Sequence, residues 1–289
     1  MEEFVDIANG FINAGQYREA IFFANKTIEK YPDFSEAYEY RGIARYILLE
    51  IDDAYADLTR AIELDPGNHK AFASRSNLNA YKEKYEEALS DCEKAIQLEP
   101  ANLNYKNQEA ELYMIRKDYE KCISSTSYVL NFQPADYTAL WFKANALAGL
   151  KRHKEAVVVF TIILNNFMHT EGLYNNIAFS QIYTNEWKEA KKNFQAAIRL
   201  NPAWAYPWDN LGYVYYLEKN YDEALKLINK SILLDPSNSW AYKSRAIVYL
   251  ATGKKTEAKS DLLRANDLGY SRIYDEEVNE LLIKEFNEH

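Results

Sequence analysis

The sequence predicts an all-α solenoid, in which pairs of antiparallel helices repeat along the chain. The first observation is a period of 34 residues, on which six of the seven prolines fall; one mark of this period is occupied by Met168 instead. The second observation is that two columns of the same period hold only small residues. A fixed period of this length indicates a solenoid, in which each unit packs on its neighbours. The prolines on the period are Pro32, Pro66, Pro100, Pro134, Pro202 and Pro236.

Counting from residue 1 puts the proline at position 32 and divides residues 1–272 into eight units without insertion or deletion. Positions 8 and 20 hold only Ala, Gly, Ser or Cys, because two helices approach closely only where side chains are short. The proline ends the second helix of each unit, since it lacks an N–H and biases the preceding residue away from the helical region. The units begin at Met1, Ser35, His69, Leu103, Tyr137, Glu171, Ala205 and Ser239.

The last segment, residues 273–289, breaks the period. Val278, Leu281, Leu282 and Phe286 recur at helical spacing between polar residues. A solenoid needs a terminal cap with one polar face, so the pattern predicts a capping helix over this segment. The alternative is a tail that folds back into the groove.

The unit that begins at Ala205 carries the strongest motif. It reads Trp208-x-x-Leu211-Gly212-x-x-Tyr215, followed by Ala224 and Pro236. With these residues the chain resembles the tetratricopeptide repeat (TPR) family over about residues 1–272. The resemblance implies a right-handed superhelical solenoid without catalytic activity or cofactor. It also implies that the first helices line a concave groove that binds another protein, either as a peptide segment or as a folded domain.

Asparagine and aromatic residues recur at the groove positions that the resemblance implies. Asparagine side chains can pair with an extended peptide backbone, while Tyr and Trp supply rigid, amphipathic contact area. We therefore predict a partner-binding groove that is densest in the fifth to eighth units. Its residues are Asn9, Tyr40, Asn77, Tyr81, Asn107, Trp141, Phe142, Asn145, Asn175, Asn176, Phe179, Tyr183, Tyr206, Asn210, Tyr213, Tyr216 and Trp240.

A second surface is predicted on the outward side of the fourth and fifth units. Tyr128, Val158 and Ile162 are apolar there, whereas most units carry Lys, Arg, Ser or Ala at these positions. An apolar patch often marks an interface. Our hypothesis is that it supports a homodimer or a second partner.

Charge and motifs exclude several classes of function. The net charge is −9, which disfavours nucleic-acid binding, and residues 1–136 hold 25 acidic against 15 basic residues, which favours a basic partner segment. The four histidines are isolated, and no phosphate-binding loop, nucleophile motif or metal-ligand spacing occurs. Both cysteines fall at core positions. No apolar run reaches the about 18 residues of a membrane span, and the start of the chain does not resemble a signal peptide, so the expected location is cytoplasmic.

The leading functional prediction is a non-enzymatic scaffold or adaptor that holds a segment of a partner in its groove. One alternative is an inhibitor or immunity-type protein that occludes one folded enzyme. The other is an assembly chaperone or regulatory subunit of a larger complex. The sequence leaves these alternatives open, because groove chemistry sets a class of ligand and not its identity.

Overall fold

The computed structural model describes residues 2–167, 169–273 and 276–287 of the chain, so Met168 and parts of the predicted cap lie outside the described residues. In this part of the chain the backbone forms helices joined by turns, with no strand, and consecutive helices within each compact unit pack on one another. This confirms the predicted all-α class. The chain divides into two compact units, unit 1 (Met1–Gly149) and unit 2 (Leu150–His289), with the boundary between the two helices of the fifth repeat.

The helices of unit 1 are α1 (Glu2–Asn13), α2 (Tyr17–Lys30), α3 (Ser35–Ile47), α4 (Ile51–Leu64), α5 (His69–Tyr81), α6 (Tyr85–Leu98), α7 (Leu103–Ile115), α8 (Tyr119–Phe132) and α9 (Tyr137–Gly149). Those described in unit 2 are α10 (His153–Asn166), α11 (Glu171–Tyr183), α12 (Trp187–Leu200), α13 (Ala205–Leu217), α14 (Tyr221–Leu234), α15 (Ser239–Ala251), α16 (Lys255–Asp267), α17 (Tyr270–Ile273) and α18 (Glu277–Phe286).

The turn inside each helix pair has one backbone geometry, whatever its sequence. Position 15 of every repeat has a positive φ, between 58° and 77°, although only Gly15 and Gly253 are glycines. In the third repeat, the Glu83 N–H donates to the Ala80 carbonyl at 2.9 Å and the Lys84 N–H to the Asn79 carbonyl at 2.8 Å. These are the two bonds of a Schellman motif, which satisfies the last carbonyls of the first helix.

Where both helices of a repeat belong to the same compact unit, the two columns of small residues lie in the contact between them. All sixteen residues at positions 8 and 20 are buried. At Gly212 the approach is closest, because an added Cβ would lie 2.7 Å from Ile228 Cγ1 and 3.1 Å from the Ala224 carbonyl oxygen. Positions 8 and 20 of the repeat therefore mark the points where the two helix backbones approach most closely.

A buried ion pair links the two helices in several repeats. The Arg75 guanidinium donates to both oxygens of Asp91, at 2.9 and 2.7 Å, and the pair is largely shielded from solvent. Arg41 with Asp57, and Arg245 with Asp261, repeat this bidentate geometry. Such fork-to-carboxylate pairs fix the relative orientation of two helices. The repeat pattern of the sequence did not predict these ion pairs.

Two helices follow α16 in the described part of the chain, and the second of them lies in the segment, residues 273–289, where a capping helix was predicted. The short α17 precedes α18, whose Val278 and Leu282 are buried in a cluster with Ala246, Leu262 and Tyr270. The Lys243 ammonium also reaches Glu277 Oε2 at 2.8 Å. The apolar side of α18 thus covers the last repeat, and its polar side faces solvent.

Candidate partner-binding surface

Three first helices of unit 1 enclose a cavity of about 260 Å³. It is lined by Tyr46 of α3, Asn77 and Tyr81 of α5, and Gln108 and Ile115 of α7, among others. Tyr81 is 56% exposed and Ile115 is 47% exposed, so both offer apolar surface to a ligand. We call these five residues the unit 1 surface.

An amide pair sits at the centre of the unit 1 surface. Gln108 Nε2 donates to Asn77 Oδ1 at 2.7 Å and to the Ala73 carbonyl at 2.9 Å, which fixes the orientation of both amides. The Tyr46 and Tyr81 rings meet edge to face, with centroids 6.2 Å apart. Burial, followed by the neighbouring Tyr81 and Glu111, raises the pKa of Tyr46. The arrangement combines oriented polar groups with rigid rings, which suits a peptide.

The first helices of unit 2 carry two groups of aromatic side chains. Phe179 contacts Tyr183 at 5.3 Å and Trp240 at 6.2 Å between ring centroids, and Tyr213 stacks on Tyr216 at 5.7 Å. Tyr183 is exposed, whereas the other four rings are half-buried. We call these five residues the unit 2 aromatic surface.

A histidine from the start of α10 joins this aromatic surface. The His153 ring stacks on Tyr183 with centroids 4.4 Å apart and 10° between the planes. Burial, and then the Lys151 charge, lowers the pKa of His153. A neutral imidazole is therefore favoured, and its ring covers one face of Tyr183.

The asparagines do not form the expected ladder of free amides. Asn107, Asn175 and Asn210 are buried, and Asn210 Nδ2 donates to Asn175 Oδ1 at 3.1 Å, while Asn107 Nδ2 donates to Asp136 at 3.1 Å. The groove assignment of these three residues is wrong for exposed contact, because they pack between successive first helices. Asn77 is exposed, whereas the other three are half-buried: Asn176 accepts from Asn175, Asn145 donates to the Trp141 carbonyl and Asn9 hydrogen-bonds Tyr40.

Tyr40 was also expected to face the groove, and it does not. Its side chain is 4% exposed and packs edge to face on Phe4, with centroids 6.0 Å apart. The ring fills the contact between α1 and α3, so it contributes to packing. Burial raises its pKa to about 12.

The remaining predicted residues are spread over both units. Trp141 stacks on Tyr137 at 6.2 Å, and Phe142 packs on the buried cluster around Cys122. Tyr206 is exposed beside Trp204. None of these three rings is among the residues that line the cavity of unit 1.

The outward residues are exposed, as an interface would require. Tyr128 of unit 1 packs on Phe132 at 5.2 Å, and Val158 and Ile162 of unit 2 lie on α10. Val158 is the most exposed of the three predicted residues. Their role as an interface stays a prediction.

Sequence reasoning missed a set of buried ionisable groups at position 5 of the repeat. Glu39, Asp209 and Lys243 occupy this position, and all three are buried. Burial raises the pKa of Glu39 and of Asp209 to about 7, partly offset for Asp209 by Ser244 and Lys243. A charged residue in a column that is otherwise mostly uncharged was the signal that could have revealed them.

Neither a metal centre nor a membrane helix occurs in the part of the chain that the structure describes. No three His, Cys, Asp or Glu side chains converge there as metal ligands, and none of its helices is both long and apolar enough to span a bilayer. Cys92 and Cys122 are buried and unpaired, and burial raises the pKa of each thiol to about 12. Both are packing residues rather than nucleophiles.

Two segments match family models described as tetratricopeptide repeat. They cover residues 69–102 and 205–238, the third and seventh repeats. Tetratricopeptide repeat protein 6 of Homo sapiens is 32% identical over 60 residues, which is 21% of this chain and 12% of the human protein. The chain therefore spans only a small part of that relative.

Two solved structures show the same fold. A chain of the APC/C hetero-tetramer Cut9-Hcn1 has a TM-score of 0.62 and 18% identity; the match covers 93% of this chain and 52% of that chain, or about half its length. MamA from Desulfovibrio magneticus RS-1, from residue 41 to its end, has a TM-score of 0.56 and 18% identity, over 59% of this chain and 96% of that chain. At these identities the likeness concerns architecture alone.

Proposed function

Because this chain is a tetratricopeptide repeat protein, we propose that it binds an extended segment of a partner protein along its first helices. The fold itself supports a protein–protein interaction scaffold in general terms, and repeat proteins of this kind are generally non-catalytic. In this role the chain carries out no catalytic step and needs no cofactor. Its partner is another protein.

One observation supports this proposal above all. The unit 1 surface places two exposed apolar side chains, Tyr81 and Ile115, beside the fixed amide pair of Asn77 and Gln108 in one cavity. An extended segment offers alternating backbone polar groups and side chains, which match these two features. The unit 2 aromatic surface offers a second contact area of the same chemistry.

The test is the double variant Tyr81→Ala with Ile115→Ala, measured against a partner captured from the native host. Each exposed side chain should contribute about 1–2 kcal/mol to binding, so the double variant should lose roughly tenfold or more in affinity. Phe22→Ala is the matched control, because Phe22 is 65% exposed on a second helix, α2. Unchanged affinity of the double variant, with unchanged circular dichroism, would refute the unit 1 surface.

Peptides from the captured partner separate this proposal from its alternatives. A scaffold of the proposed kind binds an isolated segment with much of the affinity for the whole partner. An inhibitor or immunity-type protein needs the folded partner and fails with its peptides. A regulatory subunit or assembly chaperone would instead be recovered with a multi-component complex.

A further inference from the structure

The N-terminal ends of α3 and α5 form a second cavity, of about 230 Å³, in unit 1. Its floor is Glu39, and its walls include Glu36, Asp65, His69 and Lys70. The lining residues thus include three with a carboxyl group and one with an ammonium group. Since a water molecule occupies about 30 Å³ of the liquid, the cavity has room for the end of a long side chain and not for a folded element.

Glu39 is buried because it occupies position 5, the column that packs between successive first helices. It is only 2% exposed, and Asn68, the N-cap of α5, hydrogen-bonds it. Its Oε1 atom nevertheless has no hydrogen-bond partner among the described residues. Buried acceptors are nearly always paired, so this oxygen calls for a donor from outside the chain.

The groups around Glu39 leave its charge uncompensated. Burial raises the pKa of Glu39 to about 7; Asn68 and Lys70 oppose this effect, and Glu36 adds to it. His69 Nδ1 lies 2.7 Å from the Tyr105 hydroxyl, so this ring nitrogen already has a hydrogen-bond partner. Lys70 is exposed and lines the same cavity.

We propose that this cavity binds the cationic end of a lysine or arginine side chain, with Glu39 on the floor and Glu36 and Asp65 at the rim. Ammonium and guanidinium groups carry only hydrogen-bond donors, which matches an oxygen-rich site with an unpaired acceptor. A metal ion fits less well, because the described residues bring no three metal-ligating side chains together. The inference rests on the proposed function for its source of such a side chain, the partner segment.

The position of the cavity also sets a spacing in the partner. Glu39 and Tyr46 both belong to α3 and lie about 10 Å apart along its axis. An extended chain covers that distance with about three residues. A partner segment should therefore carry a basic residue about three positions from the apolar residue that contacts Tyr46 and Tyr81.

The experiment uses small probes and the full chain labelled with ¹⁵N. Nα-acetyl-arginine amide and Nα-acetyl-lysine amide should give saturable amide shifts around Glu39, His69 and Lys70. Nα-acetyl-citrulline amide has the shape of the arginine probe without its charge and should give none. Shifts of equal size with citrulline, or no saturable shift with either cation, would overturn the proposal.

Two variants of opposite effect keep the result interpretable. Glu39→Gln removes the floor charge and should weaken binding of the arginine probe about tenfold or more. Lys70→Gln removes the competing ammonium and should strengthen it by about twofold to threefold. Glu63→Gln, an exposed carboxylate of α4, is the control and should change nothing. If neither expected change is observed, the proposal that this cavity binds a cationic side chain is refuted. The Tyr81 and Ile115 variants still test the proposed function independently.

Discussion

Replacing Glu39 by glutamine should stabilise unit 1 at alkaline pH. The Glu39 carboxyl is 2% exposed, and burial raises its pKa from 4.5 to about 7. A raised pKa means that the folded state holds the proton more tightly than the unfolded state does. Stability from this group is therefore complete below pH 4.5 and is lost as the pH rises through about 7.

The size of the effect follows from that difference in pKa. At about 1.4 kcal/mol per pH unit, ionisation of Glu39 costs the folded state about 3 kcal/mol above pH 7. Glutamine keeps the shape of the protonated carboxyl and carries no charge. Glu39→Gln should thus raise the free energy of unfolding by about 3 kcal/mol at about pH 8 and change it little at about pH 5.

Urea unfolding followed by circular dichroism at these two pH values measures the effect. Hydrogen exchange of the α3 and α5 amides assigns it to unit 1, because Asp209 in unit 2 also has a raised pKa and adds a pH dependence of its own. Glu63→Gln serves as the control. If Glu39→Gln and the wild type have the same pH dependence, the carboxyl is not desolvated as we infer.

Three further predictions concern packing and reactivity. Arg75→Ala should destabilise unit 1 by about 3–5 kcal/mol, measured by urea unfolding, because it leaves the buried Asp91 carboxylate without its cation; a loss below about 1 kcal/mol would contradict a buried pair. Gly212→Ala should lower the melting temperature because its Cβ would lie 2.7 Å from Ile228 Cγ1 and 3.1 Å from the Ala224 carbonyl oxygen, whereas Gly172→Ala, with open space around it, should not. The Cys92 thiol, whose pKa burial raises to about 12, should resist alkylation at neutral pH until the protein unfolds, and fast labelling of the native chain would count against this environment.

The architecture could be predicted because the repeat is a local code. Positions 8 and 20 must be small wherever two helices meet closely, and the proline must follow the second helix. The residues of each repeat are therefore enough to predict its helix pair. The left-handed residue at position 15 was not predicted. A positive φ is usually recognised in a sequence from a glycine, and residues such as Glu83 and Lys117 adopt it here instead. The Schellman bonds of the turn, and not the side chain, impose it.

The candidate surface was predicted only in part. Tyr81 and Asn77 are exposed where the groove was expected, but Tyr40 and Asn210 are buried at position 6. Neighbouring side chains decide which of these residues remains accessible. The Phe4 ring of the first repeat packs against Tyr40 of the second repeat and covers it.

By itself the sequence determined the repeat length and the helix pairing, since these follow from local spacing and residue type. Tertiary structure alone decided which polar groups are satisfied inside the chain and which remain available. The Asn210 amide donates to Asn175 of the preceding repeat, whereas Glu39, which lines an open cavity, has one oxygen with no hydrogen-bond partner among the described residues. The reason is physical: burial and hydrogen bonding depend on residues about 34 positions apart in the chain, and their contacts exist only once the helices have stacked.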